Sequence, residues 1–479
     1  MSSSSSPAAD GSVLRRVAWN TAAQGIGKAV VLGIGLASVV ITTRYLGAAG
    51  YGKVALAFAF VQMLGVLADV GLLTVVVREI SRAPASTDRL VGNALVLRLV
   101  LSLALLALAV LISLTLSWDT QVRVAVLIAG VPFVLGLVNS ALVAVLQARL
   151  RMDRAVVADV IGRAAAFAAL VVVVTLDGGF YSVVATAAVG ALATLIVTWA
   201  IVFREARPRP RAEREVWRRL LVLALPVGAA LAVSELYFRL DTLLVSLFRP
   251  YDEVGLYALS YRMVELIGIL PAIVMTSVFP LLSRYLQESR ELAARTVDAA
   301  GDLFVAIGAP IAAGGLVVAP ELVRLIGGDE FAGAAGPLRL LLFAVVLAFV
   351  SGLFGHALIA AGRQASALRL GIGALVFNLV LNLALVPPFG IDAAAAVALA
   401  SELLLVGGGL FLVRRELGLN PRFLLLWRAV VAAAAMASVL ALVSELSLVL
   451  LLPLGVVLYA AGLWLLGGLD LRRLGALRR

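Results

Sequence analysis

Long apolar stretches, separated by short clusters of arginine, make up most of this sequence. Each stretch holds roughly 20 or more mostly apolar residues, which is the length that a helix needs to cross the hydrocarbon core of a bilayer. The apolar positions run on without regular alternation, which favours helices over the strands of a membrane barrel. The pattern predicts an all-α polytopic membrane protein with about fourteen transmembrane helices.

Composition agrees with this fold class and excludes several kinds of site. Charged residues are 14% of the chain, against about 25% in soluble proteins. There is no cysteine and only one histidine, so no disulfide framework, thiolate metal site or histidine cluster is predicted. The predicted helices cover residues 19–45, 52–77, 91–116, 123–147, 155–176, 180–203, 220–248, 254–282, 302–320, 338–361, 367–387, 391–413, 424–443 and 447–468.

Basic residues alternate between the two sides of the predicted helices. One side carries 28 of them and the other six. Because cytoplasmic loops are enriched in lysine and arginine, we expect a multi-pass protein of the cytoplasmic membrane with both termini in the cytoplasm. The net charge of +11 is spread over many loops rather than gathered in one patch, so nucleic acid is not predicted as a partner. The outer loops are short, and without an outer domain to carry catalytic residues the chain is not expected to be an enzyme.

An internal repeat divides the predicted helices into two lobes. The segment that begins at Tyr51 is similar to the segment that begins at Val254, 203 residues later. Six helices return the chain to the same side, so the two lobes are parallel repeats, and two further helices follow them. Such lobes are typical of transporters that rock around a site between the halves. The predicted divisions are a tail at 1–18, an N-lobe at 19–203, a basic linker at 204–219, a C-lobe at 220–413, and the last two helices with a tail at 414–479.

A set of motifs near the N-terminus indicates a family. They are Asn20, Thr42-Thr43-Arg44-Tyr45-Leu46-Gly47, Gly50-Tyr51-Gly52, Asp69-Val70-Gly71-Leu72 and Arg78-Glu79, with Arg239-Leu240-Asp241 in the second lobe. The pattern resembles the polysaccharide-exporter (Wzx-type) flippases of the multidrug/oligosaccharidyl-lipid/polysaccharide superfamily. This resemblance implies a flippase for cell-surface polysaccharide biosynthesis. It would carry polyprenyl-pyrophosphate-linked oligosaccharide from the inner to the outer leaflet by alternating access.

The same resemblance implies the partners and leaves alternatives open. The expected partners are the lipid-linked oligosaccharide and the bilayer, with a polysaccharide polymerase and assembly proteins as further candidates. No cofactor is expected, although coupling to Na⁺ or H⁺ stays open. The alternatives are a cation-coupled multidrug antiporter and a flippase for the lipid precursor of peptidoglycan. A membrane glycosyltransferase is a third class, which the short outer loops disfavour.

Charges inside the predicted helices are the candidate site residues, because intramembrane charge is costly and usually marks a pathway or an internal pair. Cations suit a pyrophosphate head, so we predict Lys28, Arg239 and Arg262 as substrate-binding residues. Lys28 and Arg262 would lie about 14 Å and about 12 Å from the ends of their helices. The candidates for lining a cavity or coupling a cation are Asp69, Glu235, Asp241 and Glu265.

Local pairing is the competing interpretation of these charges. Glu235 and Arg239 are spaced i,i+4 and Arg262 and Glu265 i,i+3, so each pair can neutralise itself on one helix face. Lys28 has no such neighbour in the sequence. Arg98 is expected to extend towards the cytoplasmic surface.

Overall fold

A computed structural model describes residues 7–69 and 71–468, without the side chains of 7–24, 26, 66–68, 226–227, 229–235 and 238. The described residues form helices and no strand, as aliphatic segments must in a medium where backbone groups can pair only internally. The helices are α1 (Pro7–Asp69), α2 (Leu72–Arg82), α3 (Thr87–Thr115), α4 (Thr120–Ala148), α5 (Met152–Thr175), α6 (Gly179–Val202), α7 (Arg214–Phe248), α8 (Tyr251–Ile267), α9 (Ile269–Glu288), α10 (Arg290–Gly327), α11 (Ala335–Ala360), α12 (Gln364–Leu412), α13 (Leu426–Leu442) and α14 (Leu448–Leu465).

Two glycines turn the chain between spans without any loop. Gly47 (φ 66°) lies inside α1 and Gly390 (φ 70°) inside α12, so each of these helices contains two spans that meet at a corner. Only glycine adopts this positive-φ, extended-ψ conformation readily. α1 and α2 then share one span, as do α8 and α9. The described residues therefore contain fourteen spans, and the predicted helix count and all-α membrane class are confirmed.

Helix boundaries differ from the prediction at these corners. Short loops were expected before the second span, at 46–51, and after residue 387, whereas the helices continue up to Gly47 and Gly390. α1 also begins at Pro7, twelve residues before the predicted start at residue 19. Hydropathy marks where a helix is apolar and carries no signal where a helix extends into water, which explains the early start.

The described residues divide into two compact units between Leu243 and Leu244, inside α7. In the N-terminal unit, α4 packs against α1, α2, α3 and α6. The core at one end of this unit is formed by aliphatic side chains of α2, α3 and α4, together with Leu220 and Ala224 from the first turns of α7. The start of α7 is thereby fixed to the N-terminal unit.

The C-terminal unit is built around α10 and α11. α11 contacts α8, α9, α10 and α12, and α13 and α14 pack against α10. This second contact is an apolar cluster that includes Ala432, Met436 and Leu463. The Tyr459 hydroxyl donates to the Ala306 carbonyl at 2.9 Å. The two helices outside the predicted repeat therefore belong to the C-terminal unit as packed elements.

Candidate functional site

The first part of the family-like motif builds the corner between the first two spans of the N-terminal unit. Gly47 supplies the left-handed φ, and the neighbouring Tyr45 reaches the turn between α5 and α6. Its hydroxyl donates to Asp177 Oδ1 at 2.6 Å and accepts from the Gly179 backbone N–H at 3.0 Å. These contacts join the corner between the first two spans to the turn between α5 and α6.

Lys53, directly after the motif block that ends at Gly52, and Glu79, within the motif, fix the ends of neighbouring helices. Lys53 lies 2.5 Å from Asp119, the residue that caps α4. At the other end of the unit, the buried Glu79 accepts from Arg219 at 2.5 Å and so holds the first turns of α7 against α2. The described contacts of the family-like motif and of the residue that follows it therefore hold helices together.

The second span of the N-terminal unit is broken beside Asp69. α1 ends at Asp69, and Gly71 adopts a left-handed φ of 70° before α2 begins at Leu72. Broken helices at membrane depth are typical of transporter binding sites, because the interruption frees backbone groups. The Asp69 carboxylate accepts from Arg98 of α3 at 2.7 Å.

Arg98 is completely buried, contrary to the expectation that it extends to the surface. It lies eleven residues into α3, about 16 Å along the helix, and donates to Ser140 Oγ and, at 3.4 Å, to the Leu137 carbonyl. The Asp69 side chain keeps 42% of its surface exposed. The buried arginine thus balances a carboxylate that is open on its other side, which removes the need to reach water.

A similar break interrupts the second span of the C-terminal unit. α8 ends at Ile267 and α9 begins at Ile269, separated by Gly268. Pro271 has no N–H to donate to the Ile267 carbonyl. Glu265 lies just before this break and pairs with Arg262 at 2.5 Å, and both side chains are partly exposed. Each unit therefore places an arginine–carboxylate pair at the break of its second span, between two helices in one unit and within one helix in the other.

Lys28 is exposed, and no carboxylate within the part of the chain whose side chains are described pairs with it. The adjacent Gly27 packs against Val156 of α5, where a Cβ would collide with the valine. Val156 is four residues from the start of α5, about 6 Å along its axis. Lys28 therefore lies closer to the predicted cytoplasmic end than the expected 14 Å, because α1 begins well before residue 19.

Three further polar residues of the N-terminal unit, on α5 and on the second span, add to this set. On α5, Arg163 lies 3.7 Å from Asp159, and both are exposed. They lie on the face that carries Val156, away from the exposed apolar positions Val157 and Ile161. Gln62, which the repeat relates to Glu265, is exposed as well. Asp159 was missed by the sequence analysis, although its i,i+4 spacing from Arg163 is a readable signal.

The remaining predicted residues lie on α7. Arg239 is half-buried and Asp241 is 4% exposed, and each has an interaction partner. The side chain of Glu235 lies outside the described residues. No group of three histidine, cysteine or acidic side chains that could hold a metal ion occurs among the residues that the structure describes.

Comparison with known proteins identifies a family and a fold. The family model described as polysaccharide biosynthesis protein matches residues 13–286, more than half of the chain, and the MatE model matches residues 226–384. Two proteins of Haloferax volcanii are 27% identical: the probable low-salt glycan biosynthesis flippase Agl15 over 168 residues, and the probable flippase AglR over 172 residues. Each match covers 34% of this chain, which spans about a third (35%) of the length of those relatives.

Solved structures share the fold over most of the chain. The lipid II flippase MurJ in an inward closed conformation superposes with a TM-score of 0.76 at 13% identity, covering 91% of this chain and 97% of that one. An inward-facing multidrug resistance MATE transporter of the MOP superfamily gives a TM-score of 0.63 at 18% identity, covering 80% and 94%. At these identities the likeness establishes the fold.

Proposed function

Since the chain belongs to the polysaccharide biosynthesis protein family, we propose that it is a flippase for lipid-linked glycan. Its substrate is polyprenyl-pyrophosphate-linked oligosaccharide, which it carries from the inner to the outer leaflet of the cytoplasmic membrane by alternating access. The observation that carries the proposal is the family match over residues 13–286. The names of the two Haloferax relatives, both probable flippases and one of them in glycan biosynthesis, support the same substrate class.

The charges of the described residues suit an anionic head group. Lys28 offers an exposed ammonium with no carboxylate paired to it in the described structure. Arg262 is partly exposed and shares its charge with Glu265. Phosphate oxygens form strong charge-assisted hydrogen bonds with such cations, above all where water is scarce. We therefore keep Lys28, Arg239 and Arg262 as the proposed contacts of the pyrophosphate, with Lys28 as the first contact from the cytoplasmic side.

Membrane potential supplies a driving force for this transport. Moving one negative charge outward across an inside-negative membrane releases about 2.3 kcal/mol per 100 mV. Coupling to Na⁺ or H⁺ stays a second route, and Asp69, Asp241 and Glu265 are its candidate residues. Asp69 and Glu265 are each paired with an arginine, so a cation that binds either carboxylate must compete with a guanidinium. This pairing favours transport driven by potential.

Two alternatives rest on specific observations. The MatE match to residues 226–384 favours a cation-coupled multidrug antiporter, whose cationic substrates would need unpaired carboxylates. The fold likeness to the lipid II flippase MurJ favours a flippase for the peptidoglycan precursor. The exposed Lys28 argues against a cationic substrate, and the family match argues for surface glycan as the cargo.

The test is an assay of the lipid intermediates in cells depleted of this protein. Polyprenyl-pyrophosphate-linked oligosaccharide should accumulate in the leaflet that a membrane-impermeant reagent cannot reach. Re-expression of the wild-type chain should restore export, whereas Lys28→Ala should slow it about ten-fold or more, the worth of one charged hydrogen bond. Arg324→Ala is the matched control, because Arg324 is an exposed arginine paired with Glu321 and Asp329 outside the candidate site.

Each outcome decides between the functions. Loss of resistance to cationic drugs without accumulation of glycan lipid would establish the antiporter. Accumulation of the peptidoglycan precursor alone would establish the second alternative. Normal export by Lys28→Ala, with normal protein levels, would remove Lys28 from the site and leave the flippase function standing.

A further inference from the structure

We propose that the arginine-rich end of α6 is a binding site for an anionic phospholipid of the cytoplasmic leaflet. The site lies wholly within the N-terminal unit and is separate from the charges at the broken spans. Its acyl-chain part is the exposed face of α6, and its headgroup part is a polar pocket directly below that face.

The apolar part is a continuous stripe on α6. Its side chains are spaced by three and four residues, which places them on one face of the helix. Each side chain of the stripe has at least about one third of its surface exposed, as contact with lipid tails requires. The members are Val189, Leu192, Ile196, Trp199 and Phe203. Trp199 and Phe203 stack with ring centroids 6.2 Å apart, and aromatic rings are enriched at the level where tails meet headgroups.

The polar part begins at Phe203 itself. A pocket of about 370 Å³ lies at this end of α6, and its lining includes Asp88, Arg149, Phe203, Arg204, Glu205 and Arg207. The pocket is therefore continuous with the apolar stripe through one shared side chain. A volume of this size holds the phosphate and glycerol of a phospholipid head.

Its charge favours an anion. Glu205 is neutralised by Arg149 and Arg151, at 3.3 Å and 3.0 Å, and also by Arg154. Arg204 and Arg207 are exposed, and the described residues offer their guanidinium groups no ion pair. The pocket is thus lined by three arginines and two carboxylates, Glu205 and Asp88, and the ion pairs of Arg151 and Arg154 with Glu205 bring two more arginines to its edge.

The pocket is also held in place by the backbone. The Arg207 N–H donates to Asp88 Oδ1 at 2.9 Å, which fixes the start of the linker against α3. Arg149 Nη1 donates to the Glu205 carbonyl at 3.0 Å. The guanidinium groups of Arg204 and Arg207 therefore project from an anchored segment. Basic pockets beside membrane helices on the cytoplasmic side bind anionic lipid heads, and this pocket has that form.

The test uses the purified full-length protein in detergent, titrated with phosphatidylglycerol or phosphatidylcholine and followed by native mass spectrometry. The wild-type chain should retain phosphatidylglycerol in preference to phosphatidylcholine. Arg204→Gln combined with Arg207→Gln should lower the phosphatidylglycerol affinity about thirty-fold, the combined effect of two basic residues at a lipid surface. Arg284→Gln combined with Arg295→Gln is the control, because it removes two exposed arginines that pair with carboxylates of their own helices.

Further measurements distinguish binding of a lipid headgroup from binding of free phosphate. They also distinguish a specific loss of binding from misfolding. Trp199→Ala combined with Phe203→Ala should also weaken phosphatidylglycerol binding, and millimolar inorganic phosphate should not displace the lipid. Displacement by phosphate, with no effect of the aromatic change, would overturn the lipid site in favour of a free-anion site. Equal loss in the control pair, or no loss in the pocket variant, would also overturn it. All variants should first show wild-type melting temperatures in phosphatidylcholine.

Discussion

The ion pair between Asp69 and Arg98 gives the sharpest energetic prediction, because its two partners differ in burial. Arg98 is completely buried, whereas the Asp69 side chain is 42% exposed. Asp69→Asn therefore leaves a buried positive charge without a counter-charge, because the new amide oxygen, Ser140 and the Leu137 carbonyl are all neutral acceptors. Arg98→Met leaves a carboxylate whose side chain is 42% exposed.

The magnitudes follow from this asymmetry. Breaking a buried ion pair by removing one partner costs about 3–5 kcal/mol, and the exposure of Asp69 reduces this to about 2–3 kcal/mol for Asp69→Asn. Arg98→Met should cost less, about 1 kcal/mol, because the remaining carboxylate is open on one side. The double variant should have a free energy of unfolding close to that of Arg98→Met alone, because no charge is then left unpaired.

The assay is reversible unfolding in mixed micelles of dodecyl sulfate and dodecyl maltoside, followed by tryptophan fluorescence. The four proteins form a double-mutant cycle, whose coupling free energy isolates the pair. A coupling below about 0.5 kcal/mol, the level of independent sites, would refute the buried pair. So would a larger cost for Arg98→Met than for Asp69→Asn.

Two further predictions concern the corner of α1 and the linker. Gly47→Ala should destabilise the fold by about 1–3 kcal/mol because its backbone conformation is open only to glycine. Gly33→Ala, at a helical position with free space around the added Cβ, should be neutral or stabilising in the same assay. Hydrogen bonding from Arg89 lowers the pKa of Glu213. This pairing stabilises the linker above the ordinary glutamate pKa of about 4.3, and the stabilisation is lost as pH falls through the lowered value. Hydrogen exchange of the linker amides, corrected for intrinsic rates, should show this loss in the wild-type chain. Glu213→Gln should remove the pH dependence, and an unchanged profile in that variant would contradict the assignment.

The number of spans could be predicted from sequence because hydropathy and the distribution of arginine report directly on the membrane. The corners at Gly47 and Gly390 could not, because a glycine in an apolar run has the same composition whether it bends the chain or continues the helix. The motif around Tyr45 indicated the family correctly, yet its contacts with Asp177 and Gly179 join residues more than 130 positions apart. Local sequence carries no signal for such a pairing.

The site residues also divide into pairs that are local in the sequence and pairs that are not. The pair of Arg262 and Glu265 is local and was anticipated as an alternative. The pair of Arg98 and Asp69 is not local, but both residues lie at similar distances from the short connection between α2 and α3. The similar depth of these two residues on consecutive spans was therefore the signal from which their pairing could have been predicted. Distance to the nearest helix end alone led to the wrong prediction that Arg98 extends to the surface.

The two broken spans differ in what a change of shape would cost. In the N-terminal unit, Asp69 on one side of the break is tied to Arg98 on another helix. Movement of α1 relative to α3 at this level must therefore separate an ion pair whose arginine is buried. In the C-terminal unit, Arg262 and Glu265 both lie on α8, so the pair moves as one body when the angle at Gly268 changes. Straightening or bending the second span thus costs an ion pair in the N-terminal unit and none in the C-terminal unit. The break at Gly268 is accordingly the softer of the two, and the conformational change of the proposed transport cycle should be concentrated there.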